Sequence, residues 1–400
     1  MGFTIDKRFT LLGFSMSTTA PLVLATLHEP VLISVSTALL TLPLALIVYL
    51  YVNDYWGLDG LFHYVSSVSM RLGSVQLYSW LLSYFLYIIY TVDYVDYMVL
   101  KLPDSVSNAL TIVLPVVFSI IVVAGLSYLV LLALSLAQVI LALPIPQLGW
   151  VRSMAITHTA LPQLFINILS SSLLIVCITL VPYADGDTQL SRYVIYVFVL
   201  SSALMIVGSF FKASLVITQL TSLGYIGLIL AEYTALYNLL YYGLGFKRSK
   251  LIIPALVILL DAASLINYNE FYNITIVPSV AALYLTLLIS LLTVPFYLNR
   301  SKPLTKALNA RYTHIVLSIV ASLIMAYGAY TVLTQSTGVS LYEAVMALIT
   351  PTLLGIVRPL TVNNTSQPMI STLPKADGNL FLKAWERVIN RVLDSTLTGQ

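Results

Sequence analysis

The chain has 400 residues, of which 59% are hydrophobic and only 9% are charged, and its mean hydropathy is +0.94. Soluble domains contain about 25% charged residues, so this composition excludes an ordinary soluble protein and predicts an integral membrane protein. The one cysteine, Cys177, excludes an intramolecular disulfide, and the net charge of +3 comes from scattered residues, so neither a metal centre or other cofactor nor a nucleic-acid partner is expected.

The first apolar stretch follows Lys7 and Arg8 and lacks a small-residue cleavage signal, which indicates a retained span. Runs of roughly 20 apolar residues predict membrane helices, because backbone groups in hydrocarbon must bond within their own segment. The predicted spans are 9–27, 31–52, 75–100, 108–145, 161–183, 193–211, 217–242, 251–265, 274–298, 314–333 and 341–357. Gly125 can turn the long stretch 108–145 into a hairpin. The chain is therefore predicted to be all-α, with about 11 to 12 transmembrane helices in residues 1–360.

Basic residues predict the sidedness, because short basic loops stay in the cytoplasm. Those assigned to the inside are Lys7, Arg8, Arg71, Arg152, Lys247, Arg248, Lys250, Arg300, Lys302, Lys306, Arg311 and Arg358. The loops 28–30, 101–107, 184–191, 267–273 and 334–340 then lie outside. The polar tail 361–400 contains a candidate amphipathic helix at 380–393, which fits a cytoplasmic tail. We expect a multi-pass protein of the cytoplasmic membrane, surrounded by its lipids, with both termini cytoplasmic.

One segment does not fit this topology. Two crossings within 108–145 leave 147–159 outside, whereas Arg152 and the following span, which runs toward Asp185, require it inside. A further shortened or broken span around 144–150, which is rich in Pro and Gly, would restore the parity.

The first span contains an unusual polar run, Ser15, Met16, Ser17, Thr18, Thr19 and Ala20, followed by Pro21. Proline removes one backbone hydrogen bond and frees main-chain groups nearby. Freed backbone groups and hydroxyls are how interrupted transporter helices hold a carboxylate or an amine. The alternative is a simple kink in which the Ser and Thr side chains bond to their own helix.

Asp93 and Asp96 lie three residues apart and therefore share one helix face. Removing such carboxylates from water raises their proton affinity, which suits a proton-coupled transporter. The alternative interpretation places them near Lys101 at the outer end of the span, where they are hydrated. A third interpretation, a metal-diphosphate site of a membrane prenyl transferase, lacks a second acidic motif.

Lys212 lies at the end of another span and can replace a coupling cation, pair with Asp261 or Glu232, or extend its amine to the interface. Tyrosines also recur at helical spacing, and this stripe either lines a substrate path or packs in the core. Its members are Tyr87, Tyr90, Tyr94 and Tyr97.

Several stretches resemble amino acid permeases of the amino acid-polyamine-organocation (APC) superfamily. The second-to-third span region of the family is matched by Gly-Leu-Asp-Gly-Leu-Phe-His-Tyr-Val at 57–65, Arg-Leu-Gly at 71–73 and Trp80 to Tyr87. The Leu-Pro start of 161–170 resembles the entry to its seventh span, and 272–284 with the basic continuation at 299–302 resembles its tenth span and the loop after it. The departures are Asp59 and Ser79 where the family has glycine, and Phe62 where it has tyrosine.

The resemblance implies a five-plus-five inverted repeat with discontinuous first and sixth helices, followed by two further spans. The run Ser15–Thr19 then corresponds to the unwound first helix, although it is rich in Ser and Thr where the family has glycine. The sixth-span motif has no match in 144–159, which implies either an abbreviated sixth helix or a relative that does not transport.

These observations together predict a secondary active transporter, or permease, for amino acids or related amines, working by alternating access and coupled to protons or another cation. Substrate contacts are assigned to Ser15, Ser17, Thr18 and Thr19. The coupling group is assigned to Asp93, Asp96 or Lys212. The competing hypothesis is a polytopic membrane enzyme acting on a lipid or polyprenyl substrate, with the two aspartates as metal ligands.

Overall fold

A computed structural model describes residues 6–27, 29–143, 150–151, 161–212, 215–300 and 308–360. Nine helical segments in this part of the chain are long and apolar enough to cross a membrane. They are Val31–Asp54, Met70–Val99, Asp104–Val123, Gln163–Tyr183, Thr188–Gly208, Val216–Gly243, Tyr268–Leu298, Tyr312–Gln335 and Val339–Val357. The prediction of an all-α membrane protein is confirmed.

The helix bounds follow the predicted spans closely. In chain order the helices are α1 Lys7–Thr19, α2 Pro21–Ala25, α3 Val31–Asp54, α4 Leu61–Val68, α5 Met70–Asp93, α6 Asp104–Val123, α7 Ser127–Ala142, α8 Leu161–Val176, α9 Arg192–Gly208, α10 Leu215–Leu220, α11 Ser222–Tyr237, α12 Ser249–Ser264, α13 Tyr268–Leu292, α14 Val294–Arg300, α15 Leu308–Gln335 and α16 Val339–Val357. The π-helical segments Tyr94–Val99 and Asn238–Gly243 continue α5 and α11, and 3-10 turns form Cys177–Tyr183 after α8 and Thr188–Leu190 before α9.

A two-residue antiparallel pairing joins β1 Trp150–Val151 to β2 Phe211–Lys212. Three predictions concern parts of the chain outside the described residues. They are the additional span around 144–159, of which only β1 is described, the tail 361–400 with its helix at 380–393, and the side chain of Lys212.

The first helical segment is broken at Ala20. This residue takes left-handed backbone angles, with φ 43° and ψ 63°, between α1 and α2. Pro21 begins α2, where its fixed φ suits the first helical turn and its missing N–H costs nothing. Because the residue before a proline is pushed out of the α region, α1 ends here and the chain restarts as a separate five-residue helix.

Contacts between loops define one end of the bundle, which we call the N-terminal end because Lys7 lies there. The Lys7 ammonium pairs with the Asp185 carboxylate at 2.8 Å, and the Trp56 indole N–H donates to the carbonyl of Ala184 at 3.0 Å. The loop 184–191 therefore shares this end with the N-terminus. The prediction that it lies on the opposite side of the membrane was wrong.

The position of the loop 184–191 removes the parity problem. Gly125 takes φ 73° and joins α6 to α7 as a hairpin, which confirms the predicted turn. Helix α7 starts at the N-terminal end, where the Tyr128 hydroxyl accepts from the Asp185 N–H at 2.8 Å. Because α8 with its 3-10 continuation also finishes at that end, residues 143 and 161 both lie at the opposite end. Helices α7 and α8 therefore run in opposite directions, and the segment between them lies outside the described residues apart from β1.

An aromatic and acidic cluster covers the connection between α3 and α5. The Tyr55 ring stacks on His63 with centroids 3.8 Å apart, and His63 Nδ1 lies 3.1 Å from Asp59 Oδ2. Burial and the adjacent Asp59 carboxylate raise the pKa of Tyr55 to about 12. The Tyr297 hydroxyl donates to Asp54 and so fastens α14 to the end of α3.

Close helix contacts hold the centre of the bundle. Helix α13 lies along α5, and α1 lies mainly along α7. A Cβ placed on Gly13 of α1 would lie 2.5 Å from the Leu132 Cα of α7, so only glycine fits at this crossing. Small residues of this kind let helix backbones approach closely in membranes, where dispersion contacts replace the hydrophobic effect.

Candidate functional site

The polar run of α1 lies in the interior of the bundle. Ser15, Ser17, Thr18 and Thr19 are all 0% exposed. They form the last turns of α1, so the expectation that this run itself is unwound was wrong, and the interruption follows it at Ala20.

The hydroxyls of the run have different partners. Thr18 Oγ1 donates to the Ser15 carbonyl at 2.7 Å and Thr19 Oγ1 to the Met16 carbonyl at 3.1 Å, as in the kink interpretation. Ser17 Oγ donates across to the Leu131 carbonyl of α7 at 3.3 Å. Thr19 Oγ1 also shares a hydrogen bond of 2.6 Å with Ser201 Oγ of α9.

Ser15 differs from the other three. Its hydroxyl oxygen is buried and has no hydrogen-bond partner among the described residues. Buried polar atoms in native proteins are normally bonded, so each exception calls for an explanation, and a ligand is one of them.

A glutamine that we did not single out in the sequence lies beside the break. Gln138 of α7 is 0% exposed, and both its amide nitrogen and its amide oxygen lack partners in the described part of the chain. A Cβ placed on Gly227 of α11 would lie 2.9 Å from Gln138 Nε2 and 3.5 Å from Ser17 Oγ. A Cβ on Gly224 would lie 3.2 Å from Gln138 Oε1 and 3.6 Å from the Ala20 Cβ. The amide is therefore packed between the broken helix and α11.

This arrangement offers both kinds of hydrogen-bonding group. A primary amide has two donors and one acceptor oxygen. The Ala20 break adds main-chain groups that a continuous helix would have used internally. Such a set is complementary to a small molecule that carries both a carboxylate and an amine.

The second group of candidates is acidic and lies near the far end of α5. Asp93 is 1% exposed and Asp96 0% exposed, so the interpretation that they are hydrated side chains was wrong. Asp93 Oδ1 accepts from Ser264 Oγ of α12 at 2.7 Å, and Asp96 Oδ2 accepts from Thr111 Oγ1 of α6 at 3.1 Å.

Asp261, for which the sequence suggests only a pairing with Lys212, joins this pair. It is 0% exposed, lies one turn before Ser264 on α12, and interacts electrostatically with Asp93 and Asp96. Four carboxylate oxygens of the three aspartates lack a hydrogen-bond partner among the described residues. They are Asp93 Oδ2, Asp96 Oδ1 and both oxygens of Asp261.

The charge of this cluster is not balanced by a neighbouring base. Within the described part of the chain, none of the three carboxylates pairs with Lys, Arg or His. A carboxylate buried in a membrane is too costly to remain charged and unpaired, so it binds a proton or a cation. The described residues contain no group of three or more His, Cys, Asp or Glu arranged to hold a metal ion.

The backbone changes geometry at the same place. Asp93 is the last residue of α5, and Asp96 lies inside the π-helical segment Tyr94–Val99. Short π-helical segments within membrane and soluble helices frequently mark functional sites.

The tyrosine stripe of α5 forms part of a longer chain of rings. Centroid distances along it are 4.8 Å for Trp80–Tyr84, 6.4 Å for Tyr84–Tyr87, 4.8 Å for Tyr87–Tyr90, 5.8 Å for Tyr90–Tyr272 and 6.3 Å for Tyr272–Tyr94. Tyr97, the last member of the predicted stripe, instead stacks on Tyr268 at 4.0 Å. The structure therefore brings most of the stripe together, with Tyr272 of α13 inserted into it.

Lys212 belongs to β2, where its backbone pairs with that of Trp150, so it does not lie on any of the helices that carry the other candidates.

No protein-family model matches this chain, and no curated protein is similar enough to be counted as a relative.

Proposed function

We propose that this protein is a secondary active transporter for amino acids or related amines, related to the APC superfamily that its sequence resembles. The observation that carries the proposal is the interruption of the first helix at Ala20, inside the bundle and close to the unpaired amide of Gln138. Transporters use interrupted helices of this kind to place main-chain groups at a substrate near the middle of the membrane.

The topology we propose has twelve crossings. Nine are the long helices, and the other three are the shorter α7, α12 and the broken pair α1 and α2. The inverted-repeat arrangement implied by the resemblance remains part of this proposal. Helix α8 is the sixth crossing in this count, although its Leu-Pro start resembles the family's seventh span. It runs opposite to α1 and loses α-helical geometry at Cys177, which suits the role of the sixth helix in such a repeat.

The basic residues support a cytoplasmic N-terminus. Following the helix directions, ten described basic residues fall at the N-terminal end and two at the opposite end. The ten are Lys7, Arg8, Arg71, Arg192, Lys247, Arg248, Lys250, Arg300, Arg311 and Arg358, and the two are Lys101 and Lys212. Short basic loops are retained in the cytoplasm, so both termini are assigned there.

The proposed roles follow from the contacts. The hydroxyls of the run Ser15–Thr19, with the Gln138 amide, contact the carboxylate and amine of the substrate. Asp93 and Asp96, together with Asp261, exchange the coupling proton. The absence of a described basic partner for these carboxyls supports that assignment, because a group that must release a proton cannot be locked in an ion pair.

Uptake into proteoliposomes tests this function. Purified full-length protein is reconstituted, and accumulation of a labelled mixture of amino acids and amines is measured with and without an inward proton gradient. We expect accumulation that the gradient stimulates and that Ser17→Ala with Thr18→Ala abolishes. Ser290→Ala is the matched control, because Ser290 is also buried and bonds to its own helix at the Thr286 carbonyl.

The contrary result is also specific. Correctly folded, inserted protein that takes up none of these compounds would identify the chain as a relative that has lost transport. Turnover of a lipid or polyprenyl substrate that depends on added metal and disappears in Asp93→Asn would favour the enzyme hypothesis instead.

A further inference from the structure

An apolar groove opens on the surface of the bundle between α5, the end of α11 and the start of α12. Its walls include Leu81, Phe85, Leu240, Phe246, Ile252 and Leu256. The groove has a volume of about 260 Å³. Because an apolar cavity of about 150 Å³ already accommodates benzene, this groove has room for a segment of a hydrocarbon chain.

A basic turn lies at the edge of this groove. Phe246 and Ile252, which both line the groove, are close together in the chain. Between them lie three exposed basic residues, Lys247, Arg248 and Lys250. None of these three side chains forms an ion pair with any of the described residues. The edge of the groove therefore carries positive charge that the described part of the protein does not neutralise.

Local contacts fix the position of the basic turn relative to the groove. The Phe246 N–H donates to the Leu240 carbonyl at 2.8 Å, which brings the turn back onto the end of α11. The buried Ser249 donates from its N–H at 3.0 Å and from its hydroxyl at 2.6 Å to the Phe246 carbonyl. The Lys247 ammonium lies 4.4 Å from the ring centroid of Tyr241, the residue after Leu240. The turn and the groove thus form one unit.

No acidic residue occurs in the walls beside the turn, since 70–92 of α5 and 236–260 of α11 and α12 contain neither Asp nor Glu. Asp59 lies nearby, with its Cα 3.1 Å from a Cβ placed on Gly243, but its carboxylate is hydrogen-bonded to His63 Nδ1 at 3.1 Å. The charge at this edge therefore attracts an anion.

A second apolar groove shows that this combination is not general. It has a volume of about 190 Å³ and is lined by residues of α3, α8 and α15, among them Leu40, Phe165 and Leu323. None of its lining residues is adjacent in the chain to a basic residue. Ordinary contact with lipid tails accounts for that groove, whereas the groove at α12 joins apolar walls to positive charge.

We propose that the groove between α5, α11 and α12 binds one anionic phospholipid, with an acyl chain along the apolar walls and the headgroup at Lys247, Arg248 and Lys250. Basic pockets between membrane helices bind such headgroups on the cytoplasmic side, which is the side to which we assign this end of the bundle. The inference goes beyond the proposed function, because it concerns a lipid and does not depend on what the protein transports.

Native mass spectrometry of the full-length protein in detergent counts the bound lipids, and the midpoint of thermal unfolding measures stabilisation. The probes are dioleoylphosphatidylglycerol, dioleoylphosphatidylcholine with the same chains, and glycerol phosphate without chains. We expect saturable, stabilising binding of one phosphatidylglycerol, weaker binding of phosphatidylcholine and no binding of glycerol phosphate. Added salt should weaken the binding of phosphatidylglycerol, because it screens exposed charges.

Two double variants test the charges. A lysine beside an anionic lipid surface contributes about fivefold in affinity, so Lys247→Gln with Lys250→Gln weakens phosphatidylglycerol binding about 25-fold. Arg8→Gln with Arg192→Gln removes the same charge from exposed positions at the same end of the bundle, on helices that do not line the groove. This control leaves the binding unchanged.

Two single variants test the groove without changing the charge. Leu256 is 43% exposed and lines the groove, so Leu256→Trp fills the space of the acyl chain and removes saturable binding. Leu259 is 64% exposed on the same helix and does not line the groove, so Leu259→Trp is the matched control and retains binding.

Equal binding of the two phospholipids would overturn the proposal, because it would indicate general contact with lipid. An equal loss of binding in both double variants would also overturn it, since net charge and not this turn would then determine affinity. Binding of glycerol phosphate as tight as that of phosphatidylglycerol would replace the lipid with a soluble anion. Unchanged binding in folded Leu256→Trp would exclude the groove.

Discussion

Replacing Gly227 with alanine isolates the role of Gln138. The new Cβ would lie 2.9 Å from the Gln138 amide nitrogen, so the amide must move. That amide has no described hydrogen bond to break, and an off-rotamer shift costs about 1 kcal/mol. Exchanging glycine for alanine within a helix recovers about 1 kcal/mol, so the net change in stability is close to zero.

Substrate binding is expected to respond differently. Displacing the amide removes a hydrogen bond to a charged group of the substrate, worth about 1.5 to 3 kcal/mol, so substrate affinity falls by about tenfold or more. Half-saturation of uptake in proteoliposomes measures the affinity, and the midpoint of thermal unfolding in detergent measures the stability.

Gly13→Ala is the control that affects the fold. Its Cβ would lie 2.5 Å from the Leu132 Cα, which belongs to the backbone and cannot move alone. Overpacking of this kind costs about 1 to 3 kcal/mol and lowers the unfolding midpoint. Equal destabilisation by both substitutions, or unchanged uptake by folded Gly227→Ala, would refute the assignment of Gln138 to the site.

Three further outcomes are expected. Asp93→Asn and Asp261→Asn should each abolish accumulation driven by the proton gradient while counterflow exchange of labelled substrate persists; preserved gradient-driven accumulation in both would exclude the cluster from coupling. Lys7→Ala and Asp185→Ala should each change stability by less than about 1 kcal/mol, because the pair is exposed, and a double-mutant cycle on unfolding midpoints that gives a larger coupling energy contradicts this. The raised pKa of Tyr55 means that the folded protein keeps this proton while the unfolded chain loses it near pH 10, so stability falls as the pH rises from about 10 towards 12. Tyr55→Phe should remove that part of the loss of stability at alkaline pH, which a pH series of unfolding midpoints measures. An identical pH dependence of the unmodified protein and the variant would contradict the raised pKa of Tyr55.

Much of the fold can be predicted from the sequence because the hydrocarbon core of a membrane permits few backbone structures. The helix bounds follow the apolar runs, and the hairpin at Gly125 follows from the excessive length of its segment. The sidedness of the loop at Asp185 was mispredicted because acidic residues carry little topological weight. The contacts of that loop with Lys7 and Trp56 place it at the N-terminal end.

The candidate site was accessible only in part. Burial of the run around Ser17 follows from polar residues in an apolar span, but its exact pairing depends on α7 and α9. Pro21 indicates a break in the helix, but the sequence alone does not show which residue takes the left-handed backbone angles. The contact between Asp93 and Ser264 joins residues 171 positions apart, and no local pattern encodes it. Gln138 can be noticed in the sequence, since an amide within an apolar helix is unusual. It attracts less attention than an aspartate because its side chain is uncharged.

The ion pair between Lys7 and Asp185 has a mechanical consequence. It ties the first turn of α1 to the loop that follows the 3-10 segment Cys177–Tyr183, so the broken first helix and the irregular part of α8 share a tether at one end of the bundle. A tilt of α1 must either pull that loop along or break the pair. Breaking an exposed pair costs at most about 1 kcal/mol, which thermal motion supplies readily. The ion pair can therefore hold the two segments together at rest and break whenever either helix moves.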